Sequence, residues 1–90
     1  MRVGVPREIK PDEYRVGLTP TAVREYVSRG HEVIVEKGAG VGAGYPDAAY
    51  TKAGASIAPD ADAVFAGSEL IIKVKEPQPV EWARLTDKHI

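Results

Sequence analysis

The sequence predicts a three-layer α/β domain built around a parallel sheet. Short runs of β-branched residues alternate with stretches that have the periodicity of amphipathic helices, which is the pattern of strands joined by covering helices. Glycine or proline marks nearly every change between the two patterns. The 90 residues are 43% hydrophobic and 28% charged, a composition typical of one small globular unit.

The first strand and the first helix have well-marked boundaries. Residues 2–5 form a β-branched run closed by a proline, so they are predicted to be the first strand. Thr19 and Pro20 predict a helix start, because the threonine hydroxyl caps free backbone amides and proline is accommodated at the first helical position. The helix is predicted to run to about Arg29, where Gly30 supplies a left-handed end.

The middle of the chain continues this alternation. Residues 31–36 are β-branched and too few for a helix, so they are predicted to be a second strand, parallel to the first through a right-handed crossover. After a glycine-rich loop, Asp47 is predicted to cap a short helix that Gly54 ends. Residues 55–58 are then predicted to form a brief third strand.

The last third of the chain adds a helix and a fourth strand. Pro59 and Asp60 are predicted to start the helix and Gly67 to end it. Residues 70–74 are almost continuously apolar, as in a strand covered on both faces, and this strand is predicted to be central. A helical turn is predicted over residues 80–85. The complete order predicts a Rossmann-like or flavodoxin-like parallel sheet, here as an incomplete part of its domain.

Composition excludes several classes of partner. Twelve basic and thirteen acidic residues give a net charge of −1 and are interspersed, which argues against nucleic acid. The absence of cysteine excludes disulfides and thiolate metal sites and fits a cytoplasmic location. No apolar run approaches the roughly 20 residues of a membrane span, so no membrane association is expected. His31 and His89 have no partners at metal-ligand spacing, so both are interpreted as structural and no metal site is predicted.

Two cations are predicted to meet at the ligand-binding edge of the sheet. Ligands of open α/β sheets bind outside the carboxyl ends of the strands, where the loop within residues 7–20 carries Arg15 and the fourth strand ends at Lys75. An arginine fork binds a carboxylate while a lysine holds a carbonyl oxygen, which suits a small 2-oxo acid. A lysine at a strand end is more often solvated than bound to a ligand. The nearby Arg15 is the reason for interpreting Lys75 as part of a ligand site. Lys73 is predicted to lie deeper and to need an acidic partner.

The glycine loop, residues 38–44, is predicted not to bind a cofactor. Gly38, Gly40 and Ala43 match the degenerate G-x-G-x-x-[GA] pattern, whose amides cradle a pyrophosphate in dinucleotide-binding proteins. That fingerprint opens a helix at once and is followed by an acid at the end of the next strand. Here a tyrosine and a proline interrupt the helix and no acid ends the third strand, so the loop is interpreted as a flexible connector.

Three stretches of the sequence resemble one family over nearly the whole chain. MRVGVPREIKPDEYRVGLTP, RGHEVIVEKGAGVGAGYPD and the segment ending IIKVKEPQP are similar to the amino-terminal part of bacterial alanine dehydrogenases. The alpha subunit of proton-translocating nicotinamide nucleotide transhydrogenase shares the R-V opening, the glycine loop and a K-V segment. The motif K-V-K-E-P-Q-P is more similar to the dehydrogenase. The resemblance implies that residues 1–90 are a portion of the substrate domain and that NAD binds a separate Rossmann domain absent from this chain.

The resemblance also implies a reaction and two substrate-binding residues. The family's substrate-binding arginine falls on Arg15 and its substrate-binding lysine on Lys75, while its catalytic histidine and aspartate match no residue of this chain. The implied reaction is the reversible NAD-dependent oxidative deamination of L-alanine to pyruvate and ammonia, and the implied assembly is a homo-oligomer, a hexamer. The chain alone is expected to be inactive. A transhydrogenase alpha subunit and a non-catalytic α/β anion-binding module remain the alternatives.

Overall fold

A computed structural model describes residues 1–8 and 15–73 of the chain. Four sequence predictions fall outside these ranges and are therefore not tested by the fold. They concern Val74 as the end of the fourth strand, Lys75 as a site residue, the helical turn over residues 80–85, and His89.

Within residues 1–8 and 15–73, four parallel strands form one sheet in the order β3-β2-β1-β4. Their bounds are Arg2–Val5 for β1, Glu32–Glu36 for β2, Ser56–Ala58 for β3 and Leu70–Ile71 for β4. Each predicted strand is present, and the parallel arrangement of β1 and β2 is confirmed. Because all four strands run the same way, their carboxyl ends share one edge of the sheet.

The fourth strand is shorter than predicted and is not central among the described strands. β4 comprises Leu70–Ile71 and pairs with β1, so β1 and β2 are the inner strands of the part of the sheet that the structure describes. The amide of Ile72 extends the ladder by donating to the carbonyl oxygen of Gly4 at 3.0 Å. An apolar run indicates that the faces of a strand are covered, whereas the number of neighbouring strands depends on topology. Among the strands that the structure describes, β4 has one neighbour, so its central position stays a prediction.

The first and third helices begin at the predicted caps. In α1, Pro20–Ser28, the hydroxyl oxygen of Thr19 accepts a hydrogen bond from the Ala22 amide at 3.2 Å. In α3, Ala61–Gly67, a carboxylate oxygen of Asp60 accepts from the Ala63 amide at 2.9 Å. These side chains satisfy amides that the first helical turn leaves unpaired, which fixes the direction in which each helix leaves its preceding loop.

The second helix, α2, begins differently from the prediction. It spans Asp47–Lys52 and its N-cap is Pro46, so Asp47 is the first helical residue and does not cap it. The Asp47 carboxylate accepts instead from the amide of Gly38 at 2.9 Å. An aspartate next to a helix start can bond the helix or a preceding loop, and tertiary structure decides between them. Gly54 follows the helix with a φ of 105°, as predicted for a left-handed end.

The helices cover both faces of the sheet and complete the predicted three layers. Val3 and Val5 point to the face occupied by α1 and α2, where they join the main core. Gly4 points to the opposite face, where any added side chain would collide with Ser68 and Val64 at α3. The main core consists of Val3, Val5, Leu18, Val23, Val33, Val35, Ala39, Tyr50, Ala53 and Ala55.

Candidate functional site

A pocket of about 410 Å³ lies outside the carboxyl ends of β1 and β2, which is where ligands bind in open α/β sheets. We call it the edge pocket. Arg15, the described member of the predicted cation pair, lines it, and so does the glycine loop. Lys75 lies outside the described residues, so its meeting with Arg15 stays a prediction. The lining residues are Arg7, Glu8, Arg15, Gly38, Ala39, Val41 and Gly42.

The segment that carries Arg15 is held against the end of β4. A Cβ atom added to Gly17 would lie 2.5 Å from the carbonyl oxygen of Ile72, a separation that no larger residue tolerates without backbone movement. Arg15 is two positions before this contact and its side chain is exposed, so the guanidinium is accessible from the pocket. The close approach of Gly17 therefore places an arginine beside the strand that leads toward Lys75.

A buried ion pair joins the ends of β1 and β4. The ammonium of Lys73 lies 3.3 Å from a carboxylate oxygen of Glu8, and their side chains are 6% and 2% exposed. The expectation that Lys73 lies deep and needs an acid is thus met. Glu8 was missed by the sequence reasoning. The sequence shows Glu8 as an acid just past the proline that ends β1. It does not show that Lys73 is the partner, because that requires knowing that β4 lies beside β1.

The edge pocket presents a positive charge to a small ligand. Arg7 and Arg15 both line it and both are exposed. The negative charge of Glu8 is offset by Lys73, so the carboxylate does not repel an incoming anion as strongly as it would alone. The amide of Arg7 donates to a Glu36 carboxylate oxygen at 2.9 Å, which links the ends of β1 and β2. Guanidinium groups in such a setting bind carboxylates or phosphates.

The glycine loop is an ordered wall of the pocket and not merely a connector. Most of its backbone amides already donate within the chain. The Gly38 amide donates to Asp47, and the amides of Ala39, Val41, Ala43 and Gly44 donate to nearby carbonyl oxygens. A pyrophosphate cradle needs such amides to be available, and a carboxylate at the Gly38 amide opposes an anion there. These contacts support the prediction that this loop does not hold NAD.

Tyr50 packs beneath the glycine loop. The side chain is fully buried, and a Cβ added to Gly40 would lie 2.5 Å from its ring. Burial, with smaller effects of Tyr45 and Asp47, raises the pKa of Tyr50 to about 12. The phenol is therefore neutral at physiological pH and donates to the carbonyl oxygen of Leu18, which precedes the cap of α1. Tyr50 thus connects the loop wall to the segment that follows Arg15.

His31 lies at the amino end of β2, on the sheet edge opposite the edge pocket. Its Nδ1 is 3.3 Å from the terminal amino group of Met1, and its ring centroid is 6.0 Å from that of Tyr26. Within residues 1–8 and 15–73, no group of three or more histidine, aspartate or glutamate residues is arranged to hold a metal ion. Over the same described ranges, every helix is too short or too polar to cross a bilayer.

The chain is similar to alanine dehydrogenases and to a transhydrogenase subunit. It is 54% identical to the alanine dehydrogenase of Halomonas elongata over 86 residues, which is 96% of this chain and 23% of the relative. It is 50% identical to the alanine dehydrogenase of Bacillus subtilis over 82 residues, 91% of this chain and 21% of that protein. It is 40% identical to NAD(P) transhydrogenase subunit alpha of Cereibacter sphaeroides over 85 residues, 94% of this chain and 16% of that subunit.

Solved structures with the same two names share the fold. An L-alanine dehydrogenase superposes with a TM-score of 0.93 at 46% identity, covering 96% of this chain and 24% of that one. A transhydrogenase from Sinorhizobium meliloti superposes with a TM-score of 0.91 at 32% identity, covering 99% and 26%. The chain thus spans about a quarter of the length of the dehydrogenases that it matches. The family model described as "Alanine dehydrogenase/PNT, N-terminal domain" matches residues 4–90, and the chain belongs to that family.

Proposed function

We propose that this chain is the amino-terminal, substrate-binding part of a cytoplasmic, homo-oligomeric L-alanine dehydrogenase. The proposed reaction converts L-alanine, NAD⁺ and water to pyruvate, ammonium, NADH and a proton. One observation carries the proposal, namely a cationic pocket containing Arg15 at the carboxyl edge of the sheet. The 54% identity to an alanine dehydrogenase supports the choice of substrate.

Within this proposal the chain binds and orients the three-carbon substrate. The fork of Arg15 holds the carboxylate of alanine or pyruvate through two parallel bonds. Lys75 contacts the carbonyl oxygen, where negative charge grows as ammonia attacks pyruvate, and a fixed cation at that point lowers the barrier. Together the two contacts fix the position of the α-carbon, which is the atom that must be aligned for hydride transfer.

NAD is proposed to bind a separate Rossmann domain of the full-length protein. The described residues do not fit the coenzyme well, because the amides of the glycine loop that a pyrophosphate would need are largely engaged by Asp47 and by backbone carbonyl oxygens. We therefore derive no step of hydride transfer from the residues of this chain. Its contribution is restricted to the substrate.

The test is an assay of the full-length protein that carries this sequence. We expect oxidation of NADH that depends on both pyruvate and ammonium, and reduction of NAD⁺ that depends on L-alanine. Glycine and L-serine serve as competing substrates for selectivity. The absence of any pyruvate-dependent reaction in a protein that melts cooperatively and binds NADH would contradict the proposal.

The second candidate function is that of a transhydrogenase alpha subunit. It is favoured by the TM-score of 0.91 to a transhydrogenase, which shows that the fold serves both kinds of protein. The same preparation decides between them. Hydride transfer between NADH and an NADP⁺ analogue when the partner subunit is added, without any alanine-dependent reaction, would favour the transhydrogenase. Binding of pyruvate with neither reaction would favour the non-catalytic anion-binding module.

A further inference from the structure

The buried ion pair joins the two chain segments from which the proposed substrate cations follow. Glu8 lies just beyond β1, on the connection that leads to Arg15. Lys73 lies just beyond β4, two positions before Lys75. Their charged atoms are 3.3 Å apart. A single contact thus links the connection that bears the arginine to the strand end that leads to the lysine.

A second contact joins the Arg15 segment to the end of β4. Gly17 packs against the carbonyl group of Ile72, the residue next to Lys73. Gly17 follows Arg15 in the chain and contacts Ile72. Lys73 follows Ile72 and forms the ion pair with Glu8. Arg15 and the end of β4 are therefore held together by packing at one point and by charge at another.

The burial of this pair distinguishes it from an ordinary ion pair of the same sheet. Arg2 and Glu32 join β1 to β2 at the opposite edge with a separation of 3.1 Å, but their side chains are 62% and 72% exposed. An exposed pair contributes little to stability. A buried pair loses its hydration, so that apolar residues of similar volume often stabilise a fold equally well. Stability alone therefore does not account for two charges buried beside a ligand pocket.

We propose that the Glu8–Lys73 ion pair is a positioning element of the substrate site. It holds the Arg15 segment against the end of β4, so that the guanidinium stays in the edge pocket where the carboxylate of a 2-oxo acid would bind. The inference rests on the proposed function. Neither Glu8 nor Lys73 is assigned a bond to the substrate, and each acts through the segment that it holds.

The test compares single and double variants of the full-length protein. Glu8→Gln and Lys73→Met each remove one member of the buried pair, so both are expected to lower the melting temperature. The double variant Glu8→Gln/Lys73→Met removes both charges while nearly preserving volume, and its melting temperature is expected to recover. Glu8→Asp keeps the charge but shortens the side chain. Glu32→Gln, which breaks the exposed pair at the opposite edge, is the matched control.

The measurements are the KM for pyruvate, the Kd for NADH and the melting temperature of each variant. A positioning role predicts that the double variant regains stability but keeps a KM for pyruvate raised by about tenfold or more, since small misplacements are costly in a binding site. Glu8→Asp should also raise that KM, while the Kd for NADH stays unchanged in all variants. Glu32→Gln should change none of the three quantities.

Three results would overturn the inference. If the KM for pyruvate recovers together with the melting temperature in the double variant, to within about twofold of the wild type, the pair is structural only. If the Kd for NADH rises in parallel with the KM for pyruvate, the effect is general and not one of positioning. Failure of the wild-type protein to bind pyruvate would overturn both the proposed function and the inference, which separates that case from the other two.

Discussion

The hydroxyl of Tyr50 donates a hydrogen bond of 2.7 Å to the carbonyl oxygen of Leu18 within the core. Tyr50 packs against the glycine loop at Gly40, and Leu18 immediately precedes the cap of α1. This bond connects the glycine loop, through one buried phenol, to the segment that follows Arg15.

Replacement of Tyr50 by phenylalanine should therefore destabilise the fold and weaken pyruvate binding. The variant leaves a buried carbonyl oxygen without its donor, which costs about 1–3 kcal/mol in the free energy of unfolding. Thermal melting and the KM for pyruvate are the measurements. Tyr26→Phe, on α1 and away from the edge pocket, is the control and should change the KM little. An unchanged melting temperature in Tyr50→Phe would show that the bond contributes nothing.

The same phenol predicts a loss of stability at high pH. Burial raises the pKa of Tyr50 to about 12 in the folded protein, whereas an ordinary tyrosine has a pKa of about 10, so the unfolded chain loses this proton first. The contribution of Tyr50 is fully present below pH 10 and is lost as the pH rises toward 12, at up to about 1.4 kcal/mol per pH unit. The measurement is the free energy of unfolding of wild type and Tyr50→Phe at several alkaline pH values. Equal slopes in the two proteins would contradict the assignment.

The close approach of Gly17 to Ile72 predicts that Gly17→Ala is damaging. The added methyl group would meet a backbone carbonyl group, which cannot rotate away, so a loss of about 1–3 kcal/mol in the free energy of unfolding is expected. The matched control is Gly67→Ala, whose methyl would meet only the flexible end of Ile34 at 3.1 Å. That change at the end of α3 should alter stability by less than about 1 kcal/mol. Comparable losses in the two variants would remove the special role of Gly17.

The glycine loop should not bind a dinucleotide. We expect residues 1–90, titrated with NADH and followed by fluorescence, to show no saturable binding. Circular dichroism of the same sample establishes that the chain is folded. Saturable micromolar binding that Gly40→Ala abolishes would show that the loop is a coenzyme site after all, despite the use of its amides by Asp47 and the backbone.

Arg15 and Lys75 should not be interchangeable in the full-length protein. Arg15→Lys keeps the charge but loses the fork, so pyruvate binding should weaken by about 1.5–3 kcal/mol. Lys75→Ala should act mainly on kcat, by about 10²-fold or more, if its charge stabilises the oxygen as the carbonyl is attacked. Steady-state kinetics of pyruvate amination and melting of both variants provide the test. Near-normal kcat/KM in both would contradict the site assignment.

Local chemistry explains why much of the fold was predictable from sequence. The hydroxyl of Thr19 and the carboxylate of Asp60 bond amides three residues away, so the signal and the structure lie in the same short segment. Asp47 carries the same kind of signal, yet its carboxylate bonds Gly38 across the loop. Choosing between these partners requires knowledge of where the loop runs, which residue spacing does not provide.

The candidate site was predictable only where the signal lies close to the residue in the sequence. Arg15 was predicted to lie at the ligand-binding edge because its loop follows the first strand. Lys73 was expected to need an acid because a buried ammonium requires one. The identity of that acid depends on β4 lying beside β1, a pairing between distant parts of the chain. The role of the glycine loop as a pocket wall was likewise hidden, since its contacts with Asp47 and Tyr50 are made by folding.

The pairing of Val3 with Leu70 has a consequence for synthesis of the protein on the ribosome. β1 is made first, but one of its edges is covered only after β4 has emerged from the exit tunnel. Until then a strand of β-branched residues presents open amide and carbonyl groups, a surface that pairs readily with other nascent chains. Closure of this edge is therefore delayed until Leu70 and the further residues that fill the exit tunnel behind it have been translated, and slowing of the ribosome before that point should increase aggregation or the demand for chaperones.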